Sequence, residues 1–213
     1  MNRVRVLLAD DHPMILEGFR AALSREFDLV GAVRDGRALL DAAGRLDPDV
    51  ILLDISMPLL NGIDAAHQLK KVVPVAKLVF LTMHANPIYL KAALAAGASG
   101  YILKTCASDE LAEAVRRVAL GGTYVTPGFG EVLVRRFARD GGSPARSESL
   151  LTFRQREILQ LVAEGRTAKE MAAILNVTVQ TVAFHKYHIM NKVGLRTTAE
   201  LTKFAIQERL AEI

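Results

Sequence analysis

Short aliphatic runs alternate with segments of helical periodicity five times between the start of the chain and residue 120. The runs are rich in Val, Ile and Leu, which is typical of strands buried on both faces of a parallel sheet. After the first run, Ile15, Phe19 and Leu23 recur at the spacing of one helix face. Five such units predict a doubly wound α/β domain with a five-stranded parallel sheet. The predicted strands are Val4–Ala9, Leu29–Val33, Val50–Leu53, Lys77–Leu81 and Gly100–Leu103.

Polar side chains stand where four of these runs end. The residues are Asp10 and Asp11 after the first run, Asp54 after the third, Thr82 after the fourth and Lys104 after the fifth. The carboxyl ends of parallel strands lie along one edge of the sheet, where ligands bind. A single aspartate at such a place more often caps the next helix, but five polar residues at four strand ends favour a shared pocket.

The carboxylates of this pocket require a cation, because three like charges cannot lie together without compensation. Oxygen ligands with room for water suit Mg²⁺, with Mn²⁺ as the alternative ion. We expect Asp10 and Asp11 to bind the metal. Asp54 and the backbone carbonyl of Ser56 complete the expected ligand set.

The same pocket predicts phosphoryl chemistry. Beside a metal ion, the Asp54 carboxylate is suited to act as a nucleophile toward a phosphoryl group. The Lys104 ammonium would neutralise charge on the transferring oxygens, and the Thr82 hydroxyl would donate a hydrogen bond to one of them.

Positive charge is concentrated in the C-terminal part of the chain. Lys and Arg balance Asp and Glu over residues 1–124, whereas from Leu151 onward nine basic residues stand against six acidic ones. That asymmetry indicates an anionic partner. The single cysteine, Cys106, excludes an internal disulfide. No apolar run reaches the roughly 18 residues of a membrane span, so we expect a cytoplasmic protein that does not contact a membrane.

A polar segment divides the chain into two predicted domains. Residues 139–147 are rich in Gly, Ser, Arg and Pro, a composition typical of a flexible linker. We place the first domain at residues 1–122 and a small all-α domain at residues 150–213. The linker between them, residues 123–149, contains a possible short helix at Phe129–Phe137.

Capping patterns predict the helices of the second domain. Thr152 with Gln155, and Thr167 with Glu170, fit the pattern of a capping box, and Thr178 can cap a longer helix. Two helices joined by a tight turn, the second longer and basic, are typical of a helix-turn-helix unit that binds DNA.

The longer helix is predicted to have an inner and an outer face. Val182, His185, Ile189 and Val193 recur at spacings of three and four residues and should face the core. The remaining side chains, Asn191 among them, face outward, where some would enter a major groove and others would reach phosphates. The predicted DNA contacts, which include one residue of the preceding helix, are Lys169, Thr178, Gln180, Thr181, Ala183, Phe184, Lys186, Tyr187 and Lys192. A helix pair that merely packs on the first domain is the alternative.

Segments 8–13, 53–58, 61–62, 81–84 and 96–104 resemble the receiver domain of bacterial two-component response regulators. The resemblance implies that Asp54 accepts a phosphoryl group from a sensor histidine kinase. It also implies that Thr82 and Tyr101 form a switch pair, in which Tyr101 turns inward after phosphorylation. Thr105 departs from the family pattern, since many receivers have proline after the lysine.

Segments 151–159, 163–165, 169–172, 181–185 and 192–194 resemble the LuxR-type DNA-binding domain. A receiver followed by this domain resembles the NarL/FixJ-type response regulators, which implies binding to double-stranded promoter DNA and a homodimer when phosphorylated or DNA-bound. By the same resemblance, the last helix would supply the dimer contact. The residues expected there are Leu201, Phe204 and Ala205. Ala183 stands where the family commonly has lysine. This difference predicts a weaker affinity for DNA, and a shallower dependence of that affinity on salt, than in a relative with the lysine.

Two other functions are alternatives to that of a phosphorylated response regulator. A haloacid-dehalogenase-like phosphohydrolase also uses a strand-end aspartate and Mg²⁺, but it needs a second acid two residues later, where this chain has Ser56. We therefore expect no enzyme activity beyond the receiver's own phosphoryl transfer and dephosphorylation. A regulator whose receiver serves only as a dimerisation or ligand module is the third possibility, and the filled pocket argues against it.

Overall fold

A computed structural model of the chain describes residues 3–83, 86–127, 150–208 and 210–211. The chain separates into two compact units, one comprising residues 1–57 and 62–144 and the other residues 58–61 and 145–213. The possible helix at Phe129–Phe137 lies outside the described residues.

Strands and helices alternate through the first unit, which confirms the predicted doubly wound α/β class. All strand pairs are parallel, and the strand order is β2-β1-β3-β4-β5-β6. The strands are β1 (Arg5–Ala9), β2 (Asp28–Val33), β3 (Val50–Asp54), β4 (Lys77–Thr82), β5 (Ala98–Leu103) and β6 (Tyr124–Val125). The helices are α1 (Pro13–Leu23), α2 (Gly36–Leu46), α3 (Gly62–Val72), α4 (Pro87–Ala95) and α5 (Ser108–Ala119).

The prediction of five strands is wrong by one edge strand. Tyr124 and Val125 pair with Gly100 and Tyr101 of β5. The Thr126 hydroxyl then accepts a hydrogen bond from the Leu103 backbone N–H at 3.1 Å. The sheet therefore continues past the predicted domain end at residue 122, into the segment assigned to the linker.

Side chains of the central strands alternate between two buried layers, as the pleat of a strand requires. Leu8 of β1 and Leu52 of β3 belong to a cluster with Phe19 of α1 and Val115 of α5. The intervening residues, such as Ile51, are also fully buried, and α2 contacts α3. Because apolar side chains fill both faces of the sheet, a polar site has room only at the ends of the strands.

The second unit is a small helical domain with its own core, as predicted. Its helices are α6 (Phe153–Ala163), α7 (Ala168–Leu175), α8 (Val179–Val193) and α9 (Thr198–Gln207). Capping boxes at Thr152 and Thr167 are confirmed, and Thr178 caps α8. A third box, at Thr197 and Glu200, begins α9. Across the described ranges, every helix is too short or too polar to span a membrane.

Candidate functional site

The sheet order places four of the predicted site residues at neighbouring strand ends. Strands β1, β3, β4 and β5 lie side by side. Asp10 follows β1, Asp54 ends β3, Thr82 ends β4 and Lys104 follows β5. All four side chains are buried, with Asp54 only 3% and Lys104 only 7% exposed. The predicted convergence of these residues is therefore present in the structure.

Lys104 bridges two of the carboxylates. Its Nζ lies 2.7 Å from Asp10 Oδ2 and 2.7 Å from Asp54 Oδ2. Its backbone N–H donates to the Thr82 carbonyl oxygen at 2.7 Å, which ties the loop after β5 to the end of β4. The ammonium is therefore held beside both acids by backbone and side-chain contacts.

The acidic cluster could hold a metal ion. Ligand atoms of Asp10, Asp11, His12 and Asp54 all lie within 4.8 Å of one another. The His12 Nδ1 atom lies 2.8 Å from Asp11 Oδ1 and 3.2 Å from Asp10 Oδ1. His12 was not among the predicted metal ligands. Its position directly after Asp10 and Asp11 is the sequence feature that could have suggested it. A set dominated by carboxylate oxygens fits a hard divalent cation.

Burial controls the charge of Asp54. Desolvation raises its pKa from 3.8 to about 6, although the nearby Lys104 ammonium and a hydrogen bond from the Ser56 backbone oppose the rise. Desolvation alone would lower the pKa of Lys104, but the charges and hydrogen bonds of Asp54 and Asp10 outweigh it, so the pKa is raised. Near neutral pH the site therefore holds an ionised Asp54 and a charged lysine.

Tyr101 lies inside the first unit, on the strand next to Thr82. Its side chain is fully buried. Burial raises the pKa of Tyr101 to about 12, against the opposing influence of a hydrogen bond with Thr82. The inward position, which was expected to follow phosphorylation, is thus already adopted in this structure.

Gly62, the first residue of α3, touches the backbone that carries Asp54. A Cβ atom at Gly62 would lie 2.0 Å from the Asp54 carbonyl oxygen. The Gly62 N–H donates to the Ile55 carbonyl oxygen at 2.8 Å. Glycine is therefore required at position 62, because any side chain would clash with the backbone of Asp54. The contact holds the start of α3 against the end of β3.

In the second unit, helix α8 presents the face predicted to meet DNA. Val182 and Ile189 are buried in the helical core. The outward-facing residues of the prediction are exposed in the structure, apart from the half-buried Thr181 and Lys186. The exposed ones are Thr178, Gln180, Ala183, Phe184, Tyr187 and Lys192, together with Lys169 of α7.

Some of these groups already have partners within the unit. The Thr178 and Thr181 hydroxyls lie 2.9 Å apart, and Thr178 also accepts from the Thr181 N–H at the start of α8. The Lys186 ammonium donates to the Thr198 hydroxyl at 2.8 Å. A phosphate contact by these side chains would have to share or replace these bonds.

Both units match known protein families. Residues 6–116 match the response regulator receiver domain, and residues 149–205 match the bacterial regulatory proteins of the luxR family. The chain is 36% identical to the transcriptional regulatory protein MctR of Rhizobium johnstonii over 206 residues, which cover 96% of this chain and 94% of MctR. It is also 36% identical to the oxygen regulatory protein NreC of Staphylococcus carnosus, covering 98% of this chain and all of NreC.

A solved structure is similar to this chain over nearly the whole of both chains. RcsB of Salmonella typhimurium matches with a TM-score of 0.60 at 31% identity, covering 96% of this chain and 98% of RcsB. RcsB has been solved in a complex with DNA and as two dimers bound to two parallel DNAs, with TM-scores of 0.59 for each. The chain belongs to the bacterial response regulators with a LuxR-type DNA-binding domain. Its family is one of transcriptional regulators rather than of enzymes in the ordinary sense.

The last helix of this response regulator does not offer the dimer surface that was expected. Leu201 and Ala205 are both 0% exposed and belong to the core of the DNA-binding domain, because α9 packs on α6. Phe204 is half-buried and packs against that core. The assignment of Leu201 and Ala205 to the dimer contact is therefore wrong, since an apolar helix face first covers its own domain.

Arg154 is a structural residue of the DNA-binding domain, and the LuxR-like segment 151–159 contains it without indicating its role. One guanidinium nitrogen donates to the Leu175 carbonyl oxygen at 2.8 Å, at the end of α7. Another donates to the Glu157 carboxylate at 2.8 Å. The guanidinium thereby satisfies a free carbonyl at a helix terminus and fixes α7 against α6.

Ionisation of Asp54 opposes folding of the receiver, because burial raises the pKa of this carboxyl above its value in the unfolded chain. The Asp54 carboxyl binds a proton more tightly in the folded state than in the unfolded state, where its pKa is near 3.8, so its contribution to stability falls as the pH rises from about 4 to about 6. In metal-free buffer, Asp54→Asn should raise the free energy of unfolding at pH 7 by up to about 3 kcal/mol. Hydrogen exchange of the β3 amides in the full-length chain measures this difference.

The control is Asp41→Asn, which removes an exposed carboxylate from α2. It should leave the exchange of β3 amides unchanged across the same pH range. Two results would show that burial does not destabilise the ionised carboxylate. One is an Asp54→Asn variant that is less stable than wild type at pH 7. The other is an increase in stability over wild type that is as large at pH 4 as at pH 7.

Proposed function

We propose that this chain is a phosphorylation-switched transcription factor. Asp54 accepts a phosphoryl group from a sensor histidine kinase, and the modified protein shifts toward a dimer that binds promoter DNA in the cytoplasm, where the bacterial chromosome lies. The observation that carries the proposal is the bridge from the Lys104 ammonium to Asp54 and Asp10, at 2.7 Å each. It supplies a buried positive charge next to a buried, ionisable nucleophile.

Each group of the site has a proposed role in the transfer. Asp10, Asp11 and Asp54, with the Ser56 carbonyl, would hold Mg²⁺ or Mn²⁺, and the bound ion supplies positive charge that neutralises phosphoryl oxygens. An Asp54 oxygen forms the new bond to phosphorus while the bond to the donor breaks. Lys104 pairs with the charge that develops on the phosphoryl oxygens.

The switch would act through Thr82 and Tyr101. Phosphorylation adds roughly −1.5 to −2 charge at Asp54, and the Thr82 hydroxyl, at the next strand end, can donate to it. Because Tyr101 is already buried, the switch is proposed to lock this inward position rather than create it. Phosphorylation can shift the balance between the inactive and active receiver only as far as the phosphoryl group interacts more favourably with the active state than with the inactive one.

The proposed output is the DNA-binding domain. Helix α8 would enter the major groove as the second helix of a helix-turn-helix pair. Exposed Lys169 and Lys192 would pair with phosphates. The kinase and the homodimer are implied by the family, and the dimer contact is proposed to use residues of α9 outside the domain core, such as the exposed Lys203.

The test couples the two domains in one measurement. Full-length protein is treated with acetyl phosphate and Mg²⁺, and its affinity for duplexes selected from genomic fragments is measured by fluorescence anisotropy. Wild type should gain about tenfold in affinity, within the usual range of allosteric coupling. Asp54→Asn should show no gain. Wild type that is phosphorylated yet binds DNA with unchanged affinity would support a receiver that serves only as a dimerisation or ligand module.

Ala183 provides an independent test of the groove-facing surface. It is exposed on α8 and carries no charge. Ala183→Lys should tighten binding and steepen the dependence of log K on log salt by about 0.9, because one more phosphate is neutralised. Ala183→Gln, which adds length without charge, should leave the slope unchanged. An identical slope for the lysine variant would place residue 183 away from the DNA backbone.

A further inference from the structure

Aromatic rings form an exposed cluster on α8. Phe184 is 59% and Tyr187 is 63% exposed. The centroid of the His188 ring lies 4.2 Å from that of Phe184 and 5.9 Å from that of Tyr187. Edge-to-face packing of this kind restricts the rings, so they form an ordered surface one helical turn long.

The cluster points away from the core of its domain. Successive residues of a helix are separated by about 100°, so Phe184 lies about 200° and Tyr187 about 140° around the axis from Val182. Val182 is 1% exposed and marks the inner face. Gln180 and Asn191 are exposed on the same outer side as the rings.

The surroundings of the cluster favour a polyanion as its partner. Within Val179–Val193 there is no Asp or Glu, whereas Lys186 and Lys192 carry positive charge. An exposed apolar patch with a polar, basic border is typical of a binding surface rather than of a solvated helix face. In the major groove, the apolar group that a duplex offers to such a patch is the C5-methyl of thymine.

We infer that Phe184 and Tyr187 recognise thymine methyl groups, so the DNA half-site of this protein contains A·T pairs at the positions that the rings meet. The Gln180 amide lies one turn before Phe184 on the same face, and a glutamine amide matches the donor and acceptor of adenine. The inference rests on the DNA binding proposed above and deepens it, because it names the chemical feature that is read. Contacts between the rings and thymine methyl groups would compensate for the charged contact that a lysine at position 183 would make.

The test removes the methyl group and nothing else. Duplexes are selected from a random-sequence pool with full-length protein treated with acetyl phosphate and Mg²⁺, and each thymine of the selected site is then replaced by deoxyuridine. Wild type should lose about fourfold in affinity at one or two positions, the equivalent of about 0.8 kcal/mol for one buried methyl group. At one of those positions, Phe184→Ala should bind the thymine and deoxyuridine duplexes equally well.

A matched variant controls for general loss of surface. Phe153→Ala removes a half-exposed phenylalanine, 51% exposed, from α6 of the same domain. It should retain the full deoxyuridine effect. Because Phe184 is exposed, Phe184→Ala should remain folded, which its helical circular dichroism checks.

Two results would overturn the inference while leaving DNA binding intact. One is a wild-type affinity that no deoxyuridine substitution lowers. The other is a Phe184→Ala variant that is as sensitive to every substitution as wild type. Failure of the proposed function has a different signature, since no duplex would then be enriched, or phosphodonor would leave DNA affinity unchanged while the methyl effect persisted.

Discussion

Replacing Asp54 by asparagine is expected to abolish labelling of the protein by a radioactive small-molecule phosphodonor in the presence of Mg²⁺. The asparagine amide has nearly the shape of the carboxylate but lacks its nucleophilic charge, so no acyl phosphate can form. Wild type should be labelled, and EDTA should suppress that labelling because the acidic cluster would lose its cation. Autoradiography of quenched reactions measures both effects.

The controls separate chemistry from folding. Asp41→Asn, on the exposed side of α2, should be labelled like wild type. Asp54→Asn should be at least as stable as wild type in metal-free buffer, because it removes a buried charge whose pKa burial raises to about 6. A variant that is stable yet unlabelled has lost the nucleophile. Equal labelling of wild type and Asp54→Asn would assign the phosphoryl group to another residue.

The convergence of Asp10, Asp54, Thr82 and Lys104 could be predicted from the sequence because it depends on topology alone. Each residue directly follows or ends an aliphatic run, and parallel strands send these ends to one edge. The bridge made by Lys104 could not be predicted in the same way. It depends on the path of the loop after β5, which the backbone bond from Lys104 to Thr82 fixes.

Strand β6 and the inner face of α9 show why other features escaped prediction. Tyr124 and Val125 form only a two-residue strand, which is too short to show a period of alternation in the sequence. Leu201 and Ala205 lie on an apolar face, and periodicity cannot distinguish a face that covers its own domain from one that covers a second copy. Burial in the folded domain decides between these two roles.

The positioning of Asp54 leads to a prediction about Gly62. We expect Gly62→Ala to destabilise the receiver by at least about 3 kcal/mol, because overpacking against a backbone atom cannot be relieved by a rotamer change. The new Cβ would lie 2.0 Å from the Asp54 carbonyl oxygen and 2.9 Å from its carbonyl carbon. Hydrogen exchange of the β3 amides measures the loss of stability, and phosphodonor labelling measures the displacement of the carboxylate.

Gly18→Ala is the matched control, since a Cβ at Gly18 meets nothing within 4 Å. Gly18 lies inside α1, where alanine should stabilise the helix by about 0.5–1 kcal/mol. Opposite effects of the same substitution would show that Gly62 is needed for close approach to Asp54 rather than for glycine's flexibility. Equal stability and labelling of the two variants would mean that α3 can move away from β3 at little cost, and that the close approach of Gly62 does not position the Asp54 carboxylate.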